Sequence, residues 1–323
     1  MDGDKKRYAG FIKERDDICI YNMPFWLDAV CGKNGWDAVM IADKGETVAA
    51  LPYHKKTRYG ISGILQPQFT QFFDLWLKPL EDCKAERALY YRTKWTGEIA
   101  ERLSALDADF YVMNISGRLC NGEPFIWEGF RQEVRYSFVI PPGLESGEAL
   151  SRMDRTVRAG IRKATGSARL EEIDDTELLY RIQTETYARR GMKNPWSKEI
   201  CKRLYRACRA NNACRMVAVR DAQGDICCAG LYVFDKSYVY ELLAGTVTEK
   251  RQFNYKAFMT GEMIRFACDT GRGFDLEGSM VRSIAEHNRR FGAGPVPYYR
   301  FRKMCTGPAW KRLALSYKLQ KNI

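Results

Sequence analysis

The stretch from Ile226 to Phe301 constrains this chain most. Ile226-Cys-Cys-Ala-Gly-Leu-Tyr-Val-Phe234 and Ser237-Tyr-Val-Tyr-Glu-Leu-Leu-Ala244 are β-branched and aromatic runs separated only by Asp235-Lys236, so they read as a hairpin. Helical spacing from about Tyr255 to Cys268 ends at the stop Gly271-Arg-Gly273. The short run Phe274-Asp-Leu-Glu-Gly-Ser279 follows, then a second short helix ending at Phe291-Gly292, and Pro295-Val-Pro-Tyr-Tyr-Arg-Phe301 supplies a last strand. The order is strand, strand, helix, strand, helix, strand.

That order, with Phe274-Asp-Leu-Glu-Gly-Ser-Met280, Arg289-Arg-Phe-Gly292 and Pro297-Tyr-Tyr299, resembles the C-terminal acyltransferase half of the FemABX-type peptidyltransferases and their GNAT-superfamily relatives. The resemblance covers roughly residues 150 to 305 and extends more weakly over the N-terminal half. It implies an α/β (α+β) fold of tandem GNAT-like domains with mixed, mostly antiparallel sheets flanked by helices. In such a fold two central strands splay apart, and the acyl donor meets the amine acceptor in the gap.

An internal match points the same way. Gly45-Glu-Thr-Val-Ala-Ala-Leu-Pro-Tyr53 lines up without a gap on Gly224-Asp-Ile-Cys-Cys-Ala-Gly-Leu-Tyr232, each following an apolar strand and preceding a lysine-containing break. The expected division is an accessory half, residues 1–143, and an acyltransferase half, residues 144–323. Pro141 to Gly147 is the boundary stretch. A length of 323 residues suits two ordinary domains or one large one.

Lysine and arginine number 52 against 40 aspartates and glutamates, a net charge of +12 that favours an anionic partner. Eleven cysteines, an odd number with no framework spacing, read as free thiols of a reducing cytoplasm. With only His54 and His287 and no close cysteine pair of zinc-knuckle spacing, no metal is expected. The charged start, Met1 to Arg7, precedes no apolar segment, so neither a secretory signal nor membrane insertion is expected. The basic amphipathic tail, Trp310 to Lys318, is expected to pack back on the domain.

In chain order, Pro24 with Gly32 beyond Val30 punctuates a short helix, residues 38–51 form a hairpin, and residues 86–106 carry helical apolar spacing. A helix over about Glu148 to Lys163 places Leu150, Met153, Val157 and Ile161 on one face and Arg155, Arg158 and Arg162 opposite. That arginine stripe is either a solvated face or an anion site. Helices over Asp174–Arg190 and from Ser197 to about Ala210 precede the strand Arg215–Val219.

Strand alternation puts Tyr238, Tyr240 and Leu242 on one face and Glu241 among apolar neighbours on the other. A carboxylate there is either ion-paired or a desolvated general base. Asp275 and Glu277, two residues apart, can orient an amine or hold its proton, and can equally bond backbone at a strand end. Gly278-Ser279 turns the chain at the open end of the sheet.

GNAT enzymes that use acyl-CoA hold its pyrophosphate on a glycine-rich loop opening a helix. The matching segment, Thr248-Glu-Lys-Arg-Gln-Phe-Asn-Tyr255, has no glycine, and its Lys250, Arg251 and Asn254, with Lys256, are the donor-binding candidates. The FemABX resemblance implies aminoacyl-tRNA as donor. The leading expectation is therefore an acyl- or aminoacyltransferase acting on an amine, with Glu241 and Glu277 as proton acceptors and Ser279 and a Tyr298 or Tyr299 hydroxyl as oxyanion donors. Arg155, Arg158, Arg162, Tyr238, Tyr240 and Asp275 are the substrate-binding candidates. Two alternatives stand beside it, an acetyl-CoA-dependent small-molecule N-acetyltransferase and a catalytically silent module that binds nucleic acid or an acidic ligand.

Overall fold

A computed structural model describes residues 3–278 and 280–305. The chain divides into two compact units, one of Met1–Phe11, Cys31–Val134 and Tyr298–Ile323, the other of Ile12–Val30 and Arg135–Pro297. Helices α1 (Gly3–Lys13) and α2 (Pro24–Cys31) open the chain.

In the first unit, β1 (Trp36–Asp43), β2 (Glu46–Arg58) and β3 (Ile61–Leu65) form an antiparallel meander, with β4 (Trp76–Leu77) also paired to β2. Helix α3 (Ala85–Ser104) then returns the chain so that β5 (Phe110–Ile115) lies parallel to β3. Ala88, Trp95, Ile99 and Leu103 recur at helical spacing and are the buried side of α3. The short α4 (Glu123–Trp127) follows, and β6 (Arg131–Ile140) passes into the second unit.

The second unit repeats this plan. After α5 (Ser146–Ser151) and α6 (Arg155–Thr165), β7 (Ala168–Glu172) is joined through α7 (Thr176–Ala188) and α8 (Lys198–Ala210) to β8 (Cys214–Asp221). β8, β9 (Ile226–Phe234) and β10 (Tyr238–Thr246) form the meander. Helix α9 (Tyr255–Asp269) crosses over, and β11 (Gly273–Asp275) lies parallel to β10. α10 (Arg282–Arg289) and β12 (Gly294–Met304) end the described chain. The strand pairing of each unit is thus mixed and mostly antiparallel, with helices flanking it.

The aligned segments Gly45–Tyr53 and Gly224–Tyr232 fall on β2 and β9, the middle strand of each meander. Their leading glycines hold matching left-handed backbone, φ 85° at Gly45 and 86° at Gly224, a conformation that glycine adopts without steric cost. The closing strands are exchanged along the chain. β12 pairs with β5 in the first unit, and β6 pairs with β11 in the second. The compact units take their closing strands crosswise to chain order, because strand pairing depends on backbone hydrogen bonds and not on sequence proximity.

The helix expected over Glu148–Lys163 is two helices. Asp154 breaks it, because its carboxylate accepts from Thr156 N (2.8 Å) and N-caps α6. The packing of β11 on its neighbours is tight: a Cβ on Gly273 would stand 2.5 Å from the Tyr238 ring and 2.7 Å from the Ile140 carbonyl. Gly273→Ala is therefore expected to cost about 3 kcal/mol in urea unfolding, since a backbone carbonyl cannot swing aside. A change near zero would show that β11 and β6 can separate freely.

Candidate active site

The parallel pairing of β10 with β11 runs only over Tyr238↔Gly273, Val239↔Phe274 and Tyr240↔Asp275. Beyond Tyr240, β10 continues along β9 while the other chain turns away. A bulge at Leu242, between the Glu241↔Tyr232 and Leu243↔Leu231 pairs, bends β10 just past that point. The alternation expected along Ser237–Ala244 therefore fails at Leu242, and Leu242 and Leu243 are both buried.

Glu277 sits where the strands part, with φ at 56°. Asp275 sets this turn, because its Oδ1 accepts from Glu277 N (2.7 Å) and also from the Ser137 hydroxyl. Asn288 Nδ2 donates to the Glu277 carbonyl (3.1 Å), pinning the backbone from α10. The Glu277 carboxylate accepts from the Tyr21 hydroxyl (3.1 Å), a residue of the Ile12–Val30 segment. The Tyr21 ring packs on Tyr240 (5.1 Å between centroids), whose hydroxyl donates to Asp235 (2.9 Å). Ile20 N, Ser237 N and Tyr238 N also donate to Asp235, which ties the segment to the sheet.

The acids of this cluster are held away from their ordinary range. Burial, opposed by its two hydrogen bonds, pushes Asp275 up to about 7. Glu277 lies well above the usual carboxylate range, through burial first and the neighbouring Asp275 charge second. Glu277 is half-buried as a whole residue, and protein closely encloses its carboxyl group. Asp275 is only 3% exposed. His287 moves the opposite way, down to about 4, through desolvation of its ring and the nearby cation of Lys256, although the residue as a whole is exposed. Titratable groups pushed apart in this way mark acid–base sites.

Glu241 takes a structural place beside them. It accepts from Lys256 Nζ (2.9 Å), Thr260 Oγ1 (2.8 Å) and Tyr232 OH (3.3 Å), so its oxygens already serve three donors. The donor-loop candidates are likewise partly committed. Lys250 is held by Asp221 (2.6 Å) and Asp225 (3.0 Å), and Lys256 by Glu241. Arg251 is exposed on the 3₁₀ turn Thr248–Phe253. Asn254 (φ 60°) starts α9, and its side chain lies against α6, 3.0 Å from where a Cβ on Gly160 would stand.

On α6, Arg155 and Arg162 are exposed, whereas Arg158 is half-buried with its Nε sealed from solvent and no partner among the described residues. Tyr238 and Tyr240 line the paired part of β10. Tyr298 belongs to the first unit, where it is buried with its ring 5.8 Å from Phe72. Ser279 and the tail expected to pack back, Trp310 to Lys318, lie outside the described residues.

Residues 151–289 match the acetyltransferase (GNAT) domain family. They form a GNAT domain. No curated protein sequence matches the chain. Among solved structures, FemX is similar with a TM-score of 0.67 and 15% identity over 93% of this chain and 96% of its own. The C-terminal domain of a putative lysylphosphatidylglycerol synthetase from Agrobacterium fabrum has a TM-score of 0.50 and 14% identity over 98% and 95% of the two chains. A tandem GNAT protein of the clavulanic acid biosynthesis pathway has a TM-score of 0.50 and 13% identity over 85% and 84%. The fold is that of the FemABX-type GNAT proteins.

Within the GNAT domain, Asp275 and Glu277 do fall in one environment as alternation implied, although a turn and not a continuing strand brings them there. Tyr21, Ser137, Asp235 and Asn288 carry no mark in the sequence. Tyr21 lies 256 residues from Glu277, and no local pattern links them. All eleven cysteines are free thiols. Among the described residues, no helix is long and apolar enough to cross a membrane.

Proposed function

We propose that this GNAT-fold acyltransferase moves an acyl or aminoacyl group from an ester or thioester donor to an amine, with Glu277 as the proton acceptor. The observation that supports this most is a closely enclosed carboxyl group, hydrogen-bonded by the Tyr21 hydroxyl, just past the point where β10 and β11 part. In its ionised form Glu277 takes a proton from the attacking amine as the C–N bond forms. When the tetrahedral intermediate collapses, the C–O or C–S bond breaks, and the same group returns the proton to the leaving oxygen or sulfur. Tyr21 orients the carboxylate, and Asp275 with Asn288 holds its backbone.

The donor reading favours aminoacyl-tRNA over acetyl-CoA. The segment before α9 lacks the glycines of a pyrophosphate-binding loop, and Asn254 packs against Gly160. On this reading the accessory copy is the half that begins the chain. Acetyl-CoA at millimolar concentration is expected to raise the melting temperature by less than about 1 °C. A ligand at a hundredfold excess over Kd would stabilise by about 2.7 kcal/mol, a shift of several degrees. Such a shift would select the small-molecule N-acetyltransferase instead.

Arg155, Arg158 and Arg162 are proposed to hold the anionic part of the donor. Replacing all three with Gln is expected to leave the fold intact, because the exposed charges of Arg155 and Arg162 contribute only about 0.2–1 kcal/mol each and the buried Nε of the half-buried Arg158 makes no hydrogen bond among the described residues. Binding of aminoacyl-tRNA, followed by filter retention, should weaken, and its log–log salt slope should flatten by roughly one unit for each phosphate the variant no longer neutralises. Unchanged affinity would make the stripe a solvated face.

A further inference from the structure

The corresponding crossover helices of the two units differ in what covers them. In the second unit α9 is overlaid by α5 and α6, and Gly261 makes a hollow that α6 fills: a Cβ there would stand 2.9 Å from Ile161 Cδ1. In the first unit α3 occupies the same place in the element order, between the meander and the parallel strand, but the helix that packs on it is the short α4. Its own glycine hollow, at Gly97, is open, with Pro124 the nearest neighbour at 3.9 Å.

The uncovered side of α3 is not an ordinary solvated face. Glu86, Tyr90 and Lys94 at four-residue steps, and beside them Leu89, Thr93 and Gly97 likewise, share one side of α3 and, with Trp127 of α4, line a groove of about 470 Å³. Leu89 is 55% exposed, Tyr90 62%, Trp127 67% and the adjoining Ile126 50%. Four large apolar side chains exposed together mark a docking surface.

We infer that this groove takes α3 of a second copy of the chain, packed antiparallel about Tyr90. The charges are what select this occupant. Glu86 and Lys94 lie four residues to either side of Tyr90, about 6 Å along the helix axis in each direction at 1.5 Å per residue. A twofold axis through Tyr90 therefore sets Glu86 of each copy against Lys94 of the other, twice in one interface. Lys94 can make the exchange, since it pairs with Glu98 of the same helix at a loose 3.9 Å. The two aromatic–aliphatic pairs, Leu89 with Tyr90, meet at the centre, and the open hollow at Gly97 admits a partner side chain as Gly261 admits Ile161 in the second unit. A lipid surface would need a one-sign rim, and the groove has one acid and one base.

Sedimentation velocity on the full chain between about 1 and 200 µM tests this. A monomer–dimer equilibrium is expected, and Tyr90→Glu should abolish it, because it puts two like charges at the centre of the interface. Glu86→Lys and Lys94→Glu should each weaken association by about tenfold, and the double exchange E86K/K94E should restore it to near the wild-type constant. Melting curves check that each variant is folded; these side chains are exposed, so none should unfold the unit. A chain that stays monomeric at every concentration would overturn the inference. So would a dimer indifferent to Tyr90→Glu, a double exchange no better than the single ones, or capture of α3 by anionic vesicles without self-association.

Discussion

Glu277→Gln is expected to reduce transfer by about 10²–10⁴-fold while the protein stays folded. Glutamine keeps the shape and an acceptor oxygen for the Tyr21 hydroxyl but cannot take the proton. The measurement is single-turnover transfer from a labelled aminoacyl donor to whichever amine gives the highest wild-type rate. In the wild type, the rate should rise with pH through a midpoint above the ordinary carboxylate range, since burial and Asp275 hold Glu277 protonated at lower pH. Tyr21→Phe should move that midpoint further up, because the phenol stabilises the ionised carboxylate and its removal favours the neutral acid. Unchanged turnover in Glu277→Gln would remove Glu277 from the chemistry and leave Asp275 or His287 as the group to test.

Between acid and neutral pH, Asp275→Asn is expected to gain roughly 4 kcal/mol of stability relative to the wild type. Asp275 ionises at about 7 in the fold and near 3.8 when unfolded, and each unit is 1.36 kcal/mol. Across that window the native state binds more protons than the unfolded chain. The contribution of the neutral acid is therefore complete below 3.8 and disappears as pH rises toward and through 7. Asparagine should keep the site intact, because Ser137 and Glu277 N both donate to the same oxygen, Oδ1. Urea unfolding at pH 4.5 and pH 8 would show the wild type losing stability where the variant does not. Parallel curves would mean that Asp275 ionises as in water, through solvent or a cation that reaches it.

Residue pattern alone made much of the second unit legible. The hairpin runs, the α9 period and the stop at Gly271 lie where β9, β10, α9 and β11 are found. Each rests on a two- or 3.6-residue period, which neighbouring residues enforce on one another. The long helix expected over Glu148–Lys163 failed because an Asp154 carboxylate competes for backbone N–H groups, a choice that hydrophobic spacing does not record. Glu241 shows the opposite limit. Its burial was readable from alternation, but whether it was a base or an ion-pair partner depended on Lys256 and Thr260, which belong to a different element, α9.

By itself, then, the sequence determined the kinds of elements, their order and the repetition of that order, because propensity, turn chemistry and amphipathic period are local. It also determined that two carboxylates, Asp275 and Glu277, stand at a strand end. Only the tertiary structure decided that β6 and β12 exchange places, that a bulge at Leu242 bends β10 where β11 leaves it, and that Tyr21 comes across 256 residues to Glu277. The acidities of Asp275 and Glu277 belong to the same class of decision. A carboxyl group's pKa is set by what surrounds it within a few ångströms, and that surrounding is assembled from Ser137, Tyr21, Asp235 and Glu241, which no local window of the chain contains.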